Sequence, residues 1–347
     1  MTPGFHGLRV LSPGLHTTVQ DLGRIGYQHI GVPVSGALDG FGLRLANALV
    51  GNLQGMAALE ILGSGPSFEI AADTARIALV GSGASIGIRG ERPRVVAAGQ
   101  SVTVRRGEIL QISLGRQSGC CYLAVEGGIA VPRVLGSAST YVRAALGGLN
   151  GRALQHDDVV PLATAYASER GEVRAPVRPP APADQPIRII LGPQQNYFRK
   201  EALQALLGAE FRVSKDADRM GMRLDEPLLR HRRGWDIVSD AIATGAIQVP
   251  GSGQPIVLLA DHQTTGGYPK IATVISVDLP ALARCRPGDP LRFVAVELEA
   301  AEEIYRDAER EFAKLVAALD PAPSDNGLDI GLLYRENLIS GVTAGFE

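Results

Sequence analysis

Between residues 260 and 271 the chain places Asp261, His262, Gln263, Thr264, Thr265, Gly266, Gly267, Tyr268 and Lys270 within one short stretch. These types suit proton transfer and the holding of a small polar ligand. Asp261 offers a base, and Lys270 a cation for a developing negative charge or a carboxylate. Gln263, Thr264, Thr265 and Tyr268 are hydrogen-bonding groups that orient a substrate. Gly266 and Gly267 are expected to bring bare N–H groups close to it, because paired glycines admit φ > 0. The same composition also suits a plain turn whose Asp and Thr side chains satisfy the backbone. His262 reads as an orienting or surface residue, and no metal site is expected, since the six histidines lack metal-ligand spacing.

Two short apolar runs must position this group. Residues 256–260 and 271–277 have the character of buried strands, and Gly251, Gly253, Pro255 and Pro269 punctuate them. A second set lies near the N-terminus. Leu38, Phe41, Leu45 and Leu49 make a helical stripe that ends at Gly51-Asn52, with Ser35 or Asp39 as its cap. Asp21, Arg24, Ser35 and Asp39 would then surround a helix N-terminus, where a carboxylate or phosphate is favoured. Asp39 is thus a second candidate base. Arg24 and Arg219 are candidates for holding a carboxylate or phosphate, or for a structural ion pair.

Forty-two Gly and 22 Pro in 347 residues, with short apolar runs, predict a mainly β protein of more than one domain. A formal charge of −2, eight Phe and one Trp argue against nucleic acid as a partner. No membrane-spanning run or leader pattern is evident, so a cytoplasmic location is expected. Cys120, Cys121 and Cys285 make no disulfide framework and read as buried thiols. Gly81-Ser82-Gly83 lacks a phosphate-loop ending and reads as a turn.

Residues 1–170 are assigned to a first domain, with 119–162 as an insertion-like section within it. Residues 171–186 form a proline-rich connector and 187–296 a second domain that carries the chemical group. Ile187–Leu191 is predicted as a strand. Residues 198–207 should form a helix with Leu203, Leu206 and Leu207 on its buried face. Residues 297–347 supply a C-terminal helix and tail, with Ile304, Ala308, Phe312, Leu315 and Leu319 on one helical face. Three segment pairs recur in the same order: those around Arg24 and Arg219, ALEILGSG and AIQVPGSG, RRGEILQI and RPGDPLRF. Such ordered recurrence points to an internal duplication into two similar β-barrels.

The segments TTVQDLGRIGYQHIGVPVSGALD, LANALVGN, DRMGMRL, DIVSDAIATGAIQVPGSGQPIVLLADHQTTGGYPKIATVI and RPGDPLRF resemble the KipA or allophanate hydrolase subunit 2-like family, which also supplies the carboxyltransferase region of urea carboxylase. The likeness spans roughly residues 5–296. It departs at Asp157-Asp158, where a Gly-Asp turn is expected, and in the longer tail. The resemblance implies cyclophilin-like β-barrel domains. Free-standing members are similar to the C subunit of an ATP-dependent 5-oxoprolinase, which opens 5-oxoproline to glutamate together with the A and B subunits; the B-like partner is KipI-like. Fused members carry biotin-dependent carboxyl transfer to urea. Both chemistries act on an N–C=O group, which needs a base beside cationic or N–H donors. On this basis Lys270, Asp261 and Asp39 are the expected catalytic residues. Arg24, Arg219, Gln263, Thr264, Thr265, Gly266, Gly267 and Tyr268 are the expected substrate-binding residues. The alternatives are a carboxyltransferase served by a separate biotin carrier, since no Ala-Met-Lys-Met sequence occurs here, and a regulatory partner of a KipI-like protein. ATP is implied for the complex, yet this sequence carries no recognisable nucleotide loop.

Overall fold

The computed structural model describes residues 6–115, 119–176 and 185–322. The first half is built from two antiparallel sheets. Gly7–Ser12, Ser67–Ile70, Ser85–Arg89, Arg94–Ala97, Ile109–Ser113 and Val159–Pro161 form one, and His16–Gln20, Ala58–Leu62, Thr74–Val80, Ser101–Arg105 and Cys120–Val125 the other. Their facing side chains, among them Val10, Phe68, Ile86, Ile61, Leu79 and Leu123, share one core. Strand alternation explains why Cys120–Val125 is buried along its whole length. Cys121, Leu123 and Val125 enter that core, while Cys120, Tyr122 and Ala124 meet helix α1 (Gly40–Leu49) on the other face.

This strand corrects the expected insertion at 119–162. Cys120–Val125 pairs with both Ala58–Leu62 and Thr74–Val80 in the middle of its sheet, and Val159–Pro161 pairs with the first strand. Only the stretch between them leaves the sheets. Glycine pairs marked it as irregular, but the six-residue apolar run at its start carried the stronger signal. At the other departure from the expected pattern, Asp157 adopts φ 66°, the left-handed region where glycine is favoured.

The second half is one eight-stranded sheet in the order Pro290–Leu291, Phe211–Ala217, Gly221–Asp225, Ile256–Leu258, Ala246–Gln248, Lys270–Val274, Ile187–Leu191, Phe293–Ala295. Its two edge strands are separated by Arg292 alone, so the sheet curls back on itself into a nearly closed barrel. Ile247, Val257, Leu224 and Ile271 fill its interior, and helix α2 (Lys200–Gly208) closes it with Ala202 and Leu206. Leu207, expected on that buried face, is 40% exposed, because helical spacing takes it past the stripe defined by 202 and 206. Helix α3 (Leu279–Arg284) follows. The fold is therefore mainly β with two β halves, a few short helices and a C-terminal helix.

Helix α4 (Leu298–Ala317) begins against the second half and ends on the first. Phe312, 3% exposed, meets Phe41 edge-on at 5.3 Å, and the Arg44 guanidinium covers the Phe312 ring at 4.0 Å while pairing with Glu309 at 2.6 Å. Leu315 and Leu319 pack beside them, as the helical stripe requires. After α4, Asp320–Pro321 pairs with Val173–Arg174. Residues 177–184 of the expected connector, and the tail from 323, lie outside the described residues. No helix among the described residues is long and apolar enough to cross a membrane.

Candidate functional site

The chain leaves Ile256–Leu258, turns at Asp261 and His262, pairs Thr265–Gly266 with Asp240–Ala241, and re-enters the sheet at Lys270–Val274. His262 anchors the turn from beneath. Its ring is fully buried, with Nδ1 2.6 Å from the Gln263 carbonyl and Nε2 3.1 Å from Thr244 Oγ1. A carbonyl only accepts, so Nδ1 carries the proton and Nε2 accepts from the Thr244 hydroxyl. Burial pushes the His262 pKa below the ordinary histidine value, which keeps the ring neutral. Lys270 Nζ donates to Asp240 Oδ2 at 2.7 Å and to the Ala241 carbonyl at 3.0 Å, clamping the short 240–241 strand onto the hairpin. The hydrogen bond from Lys270 is the first cause holding the exposed Asp240 carboxyl below its usual value. Gly266 and Gly267 are not at positive φ, contrary to the expectation from the sequence. Gly266 lies close to the ends of the Ile242 and Gln248 side chains, which a Cβ there would meet at 2.8 and 2.9 Å and have to displace.

A cavity of about 670 Å³ lies on the outer face of the second sheet. Strand alternation decides its floor. Val257, Ile247, Met222 and Leu224 point into the barrel core, so Ile256, Leu258, Gln248, Gly221 and Arg223 face outward onto the cavity. Gln263 and Tyr268 form the hairpin side of its wall, Asp216 and Asp218 another, and Arg143 reaches it from the first half. The Gln248 and Gln263 carboxamides approach each other at 3.4 Å, with Gln248 only 2% exposed. The cavity is therefore lined by amide donors and acceptors with charges of both signs nearby.

The other expected site residues lie at the junction of the two halves. Arg219, 6% exposed, donates to Asp261 at 2.8 and 3.1 Å, to the Gly36 carbonyl at 2.7 Å and to Glu60 Oε1. Glu60 also accepts from Tyr122 and from the Leu38 N–H. Asp39 caps α1 by accepting from the Gly42 N–H at 2.8 Å, and it receives Arg284 Nε at 2.7 Å. Arg24 is 1% exposed and donates to the Ser139 carbonyl. The structure thus brings Asp261 and Arg219 together, links Asp39 to them through the Tyr122 hydroxyl and Glu60, and leaves Gln263 and Tyr268 on the cavity. Thr264 and Thr265 serve the hairpin through backbone bonds to Ile242 and Ala241.

Sequence reasoning missed Gln248, Arg223, Arg143, Glu60 and Arg284. A glutamine inside the apolar AIQVP run, and a glutamate inside ALEIL, were signals of buried polar groups in need of partners. Arg143 and Arg284 gave none. Among the described residues no three His, Cys, Asp or Glu side chains gather as a metal site requires. All three cysteines are buried thiols outside any disulfide, and burial raises each thiol pKa.

The model of the carboxyltransferase domain, subdomain A and B, matches residues 30–295. The chain is 36% identical to the C subunit of 5-oxoprolinase from Escherichia coli K12 over 308 residues, covering 89% of this chain and 97% of that one. It is 31% identical to urea amidolyase of Saccharomyces cerevisiae over 318 residues, covering 86% of this chain and 17% of that protein. Among solved structures, TTHA0988 matches with a TM-score of 0.75 and 37% identity over 84% of this chain and 57% of that one. The K. lactis urea amidolyase matches with a TM-score of 0.80 and 28% identity over 91% and 20%.

Proposed function

The chain belongs to the family of carboxyltransferase domains built from subdomains A and B, and from that premise we propose that it is a subunit of an ATP-dependent 5-oxoprolinase, which hydrolyses the lactam of 5-oxo-L-proline to L-glutamate. The carrying observation is extent. The chain spans 97% of the E. coli 5-oxoprolinase component, whereas it matches only 17% of the yeast urea amidolyase.

The cavity on the outer sheet face suits a lactam. A cyclic amide presents its N–H and C=O on the same side, and a glutamine carboxamide offers the complementary acceptor and donor side by side. In this reading Gln248 and Gln263 pair with the ring amide, Tyr268 covers it, and Arg143 or Arg223 offsets negative charge as it develops on the lactam oxygen. Lys270 acts by holding the hairpin that carries Gln263 and Tyr268, while Asp261 and Asp39 fix Arg219 and Arg284 between the halves. ATP supplies the phosphoryl group that activates the amide. Gly81-Ser82-Gly83 does not fit it: the turn packs its Gly83 backbone against Gly115 and is followed by Ala84 and Ser85, not by the Gly-Lys-Ser/Thr ending that holds a phosphate. The nucleotide is therefore assigned to the A-like and B-like (KipI-like) partner subunits, in a complex that is active only when assembled.

The family's carboxyltransferase name favours a second reading, biotin-dependent carboxyl transfer to urea or a related amide, with the biotin on a separate carrier. Reconstitution separates the two. The chain and its partner subunits are supplied with ATP and 5-oxoproline, and glutamate is measured. Separately they receive bicarbonate, a biotinylated carrier and urea. Glutamate release dependent on this chain supports the first reading. Phosphate release only in the second mixture overturns it.

A further inference from the structure

Arg24 is a buried cation without a carboxylate of its own. Its side chain is 1% exposed, and its Nη2 donates to the Ser139 carbonyl, but Nε and Nη1 meet no hydrogen-bond partner. No Asp or Glu among the described residues forms an ion pair with it. Asp21, nearest in sequence, spends its carboxylate on the Ser137 and Ser139 hydroxyls and on the Ala138 and Gly23 N–H groups. Asp21 and Asp261 attract the guanidinium through space without bonding to it, Asp261 and Glu60 are bound to Arg219, and the charge of Arg219 opposes that of Arg24. Leaving a desolvated guanidinium half-bonded is costly, and the usual remedy is an anion that takes the free N–H groups.

Ser35 supplies a second unmatched group on the segment packed against the Arg24 backbone. The backbone of residues 23–24 lies against residues 34–36 through the Arg24 N–H to Val34 carbonyl bond at 2.8 Å. Ser35 is 5% exposed, its Oγ has no partner, and its φ of 53° holds it in the left-handed region, where a residue other than glycine is strained. Its N–H is tied to Ala260 in the other half, so the two halves fix its place. On the far side, the turn from Ser139 to Gly147 packs its ends against the Arg24 guanidinium and sends Arg143 to the cavity wall.

We infer that Arg24 and Ser35, at the junction of the two halves, form a binding site for a small carboxylate, taken through the free Arg24 N–H groups and the Ser35 hydroxyl. Naming the ligand as the carboxylate of 5-oxoproline rests on the proposed lactam hydrolysis and on the ring spanning from Arg24 to Gln248 and Gln263; the anion site itself rests on neither. A planar carboxylate matches the guanidinium fork, whereas an uncharged lactam offers nothing to it.

The test follows the Arg24 Nε–H resonance of the ¹⁵N-labelled full-length chain, assigned by its loss in Arg24→Lys, during titration with 5-oxoproline, pyrrolidin-2-one, acetate and hydrogencarbonate at constant ionic strength. Isothermal titration of wild type, Arg24→Lys and Ser35→Ala runs in parallel. The expected result is a saturable shift with 5-oxoproline, none with pyrrolidin-2-one, and binding about tenfold weaker in either variant. A shift with acetate or hydrogencarbonate but not with 5-oxoproline upholds the carboxylate site while counting against the lactam reading. No shift with any carboxylate, or equal binding by wild type and Ser35→Ala, overturns the inference, whatever the reconstituted complex does with 5-oxoproline.

Discussion

Replacing Arg219 with Met should cost more stability than any exposed charge in the molecule. Arg219 bonds Asp261 through Nε and Nη2, Glu60 through Nη1 and the Gly36 carbonyl through Nη2, with every side chain in the network at most 7% exposed. Methionine fills much of the same volume, so the packing loss is small and the electrostatic loss dominates. Glu60 keeps the Tyr122 hydroxyl and the Leu38 N–H. Asp261 loses the guanidinium donors to both its oxygens. Stranding buried charge in this way costs about 3–5 kcal/mol, a large part of the roughly 5–15 kcal/mol that holds a typical domain folded. Urea unfolding, followed by circular dichroism for the whole chain and by fluorescence of Trp235 for the second half, measures it; this is the sole tryptophan and lies 6.3 Å from Tyr268. Adding Glu60→Gln and Asp261→Asn removes the stranded charges and should recover more than half of the loss. The exposed Arg306–Glu302 pair is the control, and Arg306→Met should change stability by less than about 1 kcal/mol. A loss under about 1 kcal/mol for Arg219→Met, or no recovery in the triple variant, would refute the account of a desolvated charge network joining the halves.

Phe312→Ala should destabilise the protein by about 3 kcal/mol, read in the same unfolding assay, because it empties a site enclosed by Phe41, Arg44 and the α1 face. Lowering the pH from about 7 to 5 should lower the urea midpoint. Burial holds His16, His231 and His262 below the ordinary histidine pKa, so the unfolded chain binds protons that the folded chain does not; their contribution is complete above the unfolded value near 6.5 and is lost as pH falls through the folded values. A midpoint that rises on acidification would contradict this sign. For the reconstituted complex, Gln263→Ala and Tyr268→Ala should each lower kcat/KM by about tenfold or more with the unfolding midpoint unchanged. Unaltered turnover would remove the outer-face cavity from the reaction.

The duplicated segments, the strand at Ile187–Leu191 and the long C-terminal helix were legible from residue patterns, because period-two and period-3.6 burial is a local property of the chain. The middle strand Cys120–Val125 was marked by its continuous apolar run alone, because burial on both faces removes the alternation that marks most strands. The hairpin at 261–270 was legible as a polar turn between strands. Which of its members face a cavity was not, because that depends on the pleat of strands far away in sequence.

The order of amino acids by itself determined the β character of the protein, its repeated segments and the set of ionisable groups spread along them. Only the folded arrangement decided their division of labour. Asp261 and Arg219, 42 residues apart, became one buried pair, Glu60 joined them from 159 residues away, and Gln248 met Gln263 at the edge of open space. The physical reason is that a charge acquires its role from its solvation and its nearest partner, and both are set by contacts that no local stretch of chain contains.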